Sequence, residues 1–175
     1  MKTNATLVLK VMHVVFWVLF IGLCIQTGTV LVSFLVSEFI GPEGTQRLYL
    51  GKHLLDLKSS SGPHYVGVIS FVVYFLAVKA YLAYLVILIF QKIDFAAPFS
   101  PEVAALITKI SHTALGAGLV ALAAGGYARW LSKSGVEGIP AWSGEEFLFL
   151  AGIIFIIAQV FQRGTDIQSE NALTV

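Results

Sequence analysis

Lys79 is the residue whose placement points most directly to chemistry. It stands near the middle of an apolar run, 66–90, and is the only full charge in it. If that run crosses a bilayer, the ammonium lies where a charge costs about 2.5–3.5 kcal/mol on insertion scales, and it should face a bundle interior or a watery cavity. No carboxylate stands at a comparable depth in any run. The candidate partners are therefore neutral: Gln26 in the first run, Gln159 in the last, and Tyr74, Tyr81 and Tyr84 on its own. Such a lysine suits an anionic ligand or a transport site near the midplane. The preferred reading is plainer: a side chain that snorkels along a tilted helix, or sits in a hydrated bundle interior, with no ligand. His13 and His112 make a second pattern. Each stands near the start of a run, and the two runs travel in the same direction, so both rings reach one membrane face and in principle ligate haem or a metal. A hydrogen-bonded interfacial histidine accounts for each without a ligand, and no cofactor is expected. His53 and His64 lack metal-ligand spacing.

These residues need elements to hold them, and the composition says which kind. Of 175 residues, 57% are hydrophobic and 12% charged, with a mean hydropathy of +0.85 and a net charge of +1. Soluble domains carry about twice that share of charge. A soluble enzyme is thereby excluded, and a balanced charge offers no field for direct nucleic-acid binding. Cys24 is the only cysteine, which removes intrachain disulfides and dithiol redox chemistry. No nucleophile elbow, phosphate loop or zinc-protease motif is present, so a non-enzymatic role is expected. Crossing about 30 Å of hydrocarbon takes about 20 apolar residues. Four segments qualify, about 11–36, 66–90, 107–131 and 144–163, separated by an outer loop at 37–65 and followed by a tail at 164–175. The fold class is all-α: one polytopic membrane domain, a four-transmembrane-helix bundle in contact with the lipid bilayer. The first span is too long for a cleaved signal peptide and reads as a signal anchor.

Local signals sharpen the ends. Ser100-Pro101-Glu102 reads as an N-cap, a proline at the first helical position and an acid in the first turn, so the third helix starts at Pro101. Ser143 and Glu146 fit a capping box at the start of the fourth, and Gly164 after Arg163 fits a helix C-cap. Basic residues divide evenly between the two sides. Those hugging helix ends (Lys10, Lys92, Lys109, Arg163) tilt the choice towards both termini in the cytoplasm. Ala117, Ala121 and Gly125 form a small-residue stripe that suits close helix packing within the bundle or, as the alternative, a homodimer. Tyr127, Trp130 and Trp142 suit an interfacial aromatic belt, while Trp17 should pack more deeply.

Two segments carry a family resemblance. One is Lys92 to Glu102, containing Pro98-Phe99-Ser100. The other is the ending from Phe161 to Val175, with Arg163-Gly164, Gln168, Glu170 and Leu173-Thr174-Val175. Their order and placement among four spans resemble the bacterial membrane family catalogued as domain of unknown function 2975, over the whole chain. The resemblance implies no established activity. It implies an inner-membrane location, a cytoplasmic Pro-Phe-Ser turn and tail, and genes often lying beside one for a small helix-turn-helix regulator. Pro98, Phe99, Arg163, Gly164, Gln168, Glu170 and Leu173 are then candidate partner-binding residues, and Lys79, Gln26 and Gln159 a candidate polar core. The plain structural alternative makes the first motif a turn and helix start. It makes the second a helix end continuing as an amphipathic turn, with Ile167 and Leu173 packed on the bundle base and Asp166 and Glu170 wet. Three roles follow, in descending order: a sensor or regulator acting through a cytoplasmic partner, a small transporter using Lys79, and a haem or quinone protein.

Overall fold

A computed structural model describes residues 2–39, 62–93, 99–135 and 139–173. They form four helices, α1 (Lys2–Phe39), α2 (Gly62–Lys92), α3 (Pro101–Lys133) and α4 (Gly144–Leu173), with no strand among the described residues. Each contains a stretch long and apolar enough to cross a membrane: Leu7–Ser37, His64–Lys92, Pro101–Lys133 and Gly144–Glu170. The chain is thus a multi-pass membrane protein. The 38 residues of α1 extend about 57 Å, well beyond the hydrocarbon thickness. Helix α4 does not stop at Gly164 but runs on to Leu173. Residues 40–61 and 94–98, and with them His53 and Pro98, lie outside the described residues.

Consecutive helices pack on one another, most extensively α3 on α4 and α1 on α2, so the bundle consists of two antiparallel hairpins joined along α2 and α3. The first hairpin is zipped by aromatic pairs: His13 and Phe16 with Phe90, Phe20 with Tyr84, Phe34 with Tyr65. The second uses small residues instead. Ala114, Ala117, Ala121, Ala124, Ala151 and Ala158 are all buried. A Cβ added to Gly118 would stand 2.7 Å from a Leu148 methyl, and one on Gly144 would stand 2.9 Å from the Leu122 backbone nitrogen. Backbones that close leave no room for a larger side chain, and in lipid this contact is what holds helices together. Ser111, buried in the same seam, donates to the Ala151 carbonyl at 3.1 Å.

The stripe Ala117, Ala121 and Gly125 is therefore occupied within the chain; a second copy would have to displace α4 and Trp142 to reach it. Hydroxyls elsewhere bond back to their own helix, as Thr27 to Leu23 O (2.7 Å) and Ser33 to Thr29 O (2.7 Å), which satisfies them where no water is available. Among the described residues no buried side-chain nitrogen or oxygen lacks a partner. The outward faces are apolar, with Val18 66%, Ile25 64%, Phe149 73% and Ile156 65% exposed. On a soluble monomer that surface would be anomalous; on a membrane protein it is the lipid face.

Candidate functional site

The site is built where Phe99 and the start of α3 meet α4. Ser100 caps α3 with extended backbone (φ −102°, ψ 144°), and its Oγ accepts from the Val103 N–H at 3.3 Å. Pro101 occupies the first turn. Lys92, the last residue of α2, forms an ion pair with Glu102 in the first turn of α3. Cap and ion pair together hold the entry to α3, and Phe99, one residue before the cap, lies across α4. Its ring packs against Phe161 at 5.4 Å between centroids.

Gly164, three residues on along α4, meets the same ring. A Cβ at Gly164 would stand 2.4 Å from Phe99 Cδ1 and 2.7 Å from two further ring carbons, closer than carbon atoms approach. Gly164 is therefore a close-approach glycine inside a continuing helix. The C-cap expectation is overturned: the only positive φ among the described residues belongs to Gly135. Thr165 bonds back to Phe161 O at 2.9 Å, in keeping with uninterrupted helix.

Beside this contact runs an open groove of about 800 Å³ along α4. Phe99, Gln159, Arg163, Gly164 and Gln168 line it, so five residues singled out in the sequence share one feature. Phe155, Ile156, Val160 and Ile167 complete it. Sequence reasoning passed over these because an apolar residue in a span carries no mark of what it lines. Ile167 is 59% exposed, so it does not pack on the bundle base as expected. Asp166 turns away, lining a smaller polar hollow with Pro101, Gln162 and Thr165. Glu170 is exposed and Leu173 ends the helix.

The intramembrane polar core does not assemble as expected. Lys79 is exposed rather than enclosed, although Phe75 and Ala83, one turn away on either side, are buried. The pairing of Phe20 with Tyr84 and of Phe34 with Tyr65 sets Gln26 near Leu76, about one turn from Lys79, and both Gln26 and Lys79 are uncovered. Gln159 belongs instead to the α4 groove. Among the described residues no hydrogen bond joins the three. The histidine pair fares no better. His13 accepts from Trp17 Nε1 at 3.1 Å and stacks near Phe90, while His112 is exposed on α3. Trp17 itself is 39% exposed rather than deeply packed. Among the described residues no group of three metal-ligating side chains converges.

A second polar contact went unread in the sequence. His64 Nδ1 lies 2.8 Å from the Tyr127 hydroxyl and ties α2 to α3 at the end opposite Phe99. Trp130 stacks on Tyr127, and Trp142 turns inward onto Phe71 and Phe75. The expected belt is thus half surface, half core.

No curated protein and no solved structure matches the chain. The family described as Protein of unknown function (DUF2975) matches residues 57–175, a narrower stretch than the whole-chain likeness read from the sequence. It takes in α2, α3, α4 and both motifs but leaves α1 outside. The chain belongs to this family.

Proposed function

We propose that the protein is a non-catalytic membrane regulator whose Phe99 end, in the cytoplasm, holds a soluble partner. One observation carries this reading: two motifs far apart in sequence meet at Phe99 and Gly164, and the candidate residues Arg163 and Gln168 stand beside that contact. The last turns of α4 continue past the 20 or so residues that a bilayer needs, which would carry the helix beyond the lipid after Arg163. The partner class is a small helix-turn-helix regulator, as the family resemblance implies. Recognition would combine the Phe99 ring with the Arg163 guanidinium, residue types enriched at protein–protein interfaces.

The test is co-purification of the regulator encoded beside this gene with the full-length protein, repeated with residues 165–175 deleted and with Gly164→Leu, which expels Phe99 from its seat. The reading expects capture by the wild type and its loss in both variants. Equal capture by all three, or unaltered regulator output after the deletion, would sink it.

A further inference from the structure

The groove along α4 is apolar but for Gln159, Arg163 and Gln168, and of these only Arg163 carries a charge. Phe155, Ile156 and Val160 form its membrane half, and Val160 is 60% exposed. Arg163 lies on it, with Ile167 and Gln168 beyond, at the end of the 20 residues from Gly144 that span about 30 Å. The guanidinium is thus at headgroup depth. It has no ion pair among the described residues: the acids nearest in sequence are Asp166, which lines the separate polar hollow, and Glu170, two turns on. Gln159, one turn before Arg163, adds an amide on the same groove. Phe99, packed on Phe161, is the one lining residue that does not belong to α4.

We propose that this groove is a binding site for one anionic phospholipid. An acyl chain lies along Phe155, Ile156 and Val160, and Arg163 meets the phosphate. The charge complementarity is specific: a planar guanidinium donates two parallel hydrogen bonds to phosphate oxygens, which an ammonium cannot copy. A volume of about 800 Å³ is ample for a chain and part of a headgroup. The proposal goes beyond the partner reading and is tested with no partner present.

The experiment is native mass spectrometry of the purified full-length protein exchanged into detergent with equal phosphatidylglycerol and phosphatidylcholine. The wild type should retain one phosphatidylglycerol in preference to phosphatidylcholine. Arg163→Gln should reduce that retention about fivefold, the worth of one basic residue at an anionic membrane surface. Ile156→Trp, which fills the groove, should lose both lipids. Lys133→Gln, exposed at the other end of α3, should behave as wild type. Arg163 is itself exposed, so its substitution leaves the fold intact. Retention without headgroup preference, or an Arg163→Gln protein that keeps phosphatidylglycerol as well as the wild type, would overturn the proposal. A dimer that Ile156→Trp dissolves would overturn it in favour of a second copy.

Discussion

Gly164 and Phe99 allow a test in which the sign of an effect reverses. In the wild type a Cβ at position 164 would lie 2.4 Å from Phe99 Cδ1, whereas carbon contacts are best near 3.5–4.0 Å, so the ring must retreat by about 1 Å. Overpacking of this kind costs about 1–3 kcal/mol. Against it stands the helix propensity of alanine over glycine, about 1 kcal/mol in mid-helix. Gly164→Ala should therefore destabilise the wild type by up to about 2 kcal/mol. With Phe99→Ala already present, the clash is gone and only the propensity remains, so the same substitution should stabilise by up to about 1 kcal/mol. The coupling between the two sites is then about 1–3 kcal/mol, as expected for residues in direct contact. The assay is unfolding in mixed micelles of rising SDS fraction, followed by far-ultraviolet circular dichroism, on the four members of the cycle. Equal destabilisation by Gly164→Ala in both backgrounds would mean that the glycine serves a backbone conformation and that the ring contact is irrelevant to it.

The same assay checks the rest of the architecture. Gly118→Val and Gly144→Val should each cost about 1–3 kcal/mol by driving α3 from α4, while Gly116→Ala and Gly152→Ala, with nothing within 4 Å of an added Cβ, should be neutral or stabilising. If all four behave alike, the close seam is not what holds the second hairpin. Tyr127→Phe removes the hydroxyl that meets His64 and should cost about 0.5–1.5 kcal/mol; no change would show that the α2–α3 contact there is dispensable. Lys79→Met should raise resistance to unfolding, because the ammonium is uncovered and without an ion pair among the described residues; a loss of stability would show that the lysine is held by something the bundle needs.

Which features were legible follows from how each is encoded. Lipid penalises polar groups one residue at a time, so a span shows itself in any window of about 20 residues, and all four runs read from hydropathy fall within observed helices. The start of α3 was equally open to reading, because cap, proline and first-turn acid are neighbours in sequence. Gly164 was misread for the opposite reason. A glycine after a basic residue near the end of an apolar run looks the same whether it turns the chain or admits a ring, and the ring belongs to Phe99, in another segment. His64 escaped notice likewise, since its partner Tyr127 lies on a different helix.

Lys79 stood out because an isolated charge is the loudest local signal that a span can carry, yet it is the groove on α4, assembled from ordinary residues, that brings residues of both motifs together around a single charge. The two motifs explain why the site could be glimpsed at all. Each contributes one half of the Phe99–Gly164 contact, and a contact that allows no Cβ on one side and needs a ring on the other ties both positions together. Residue types that must match across space, rather than along the chain, are what distinguish this end of the bundle from the apolar faces around it.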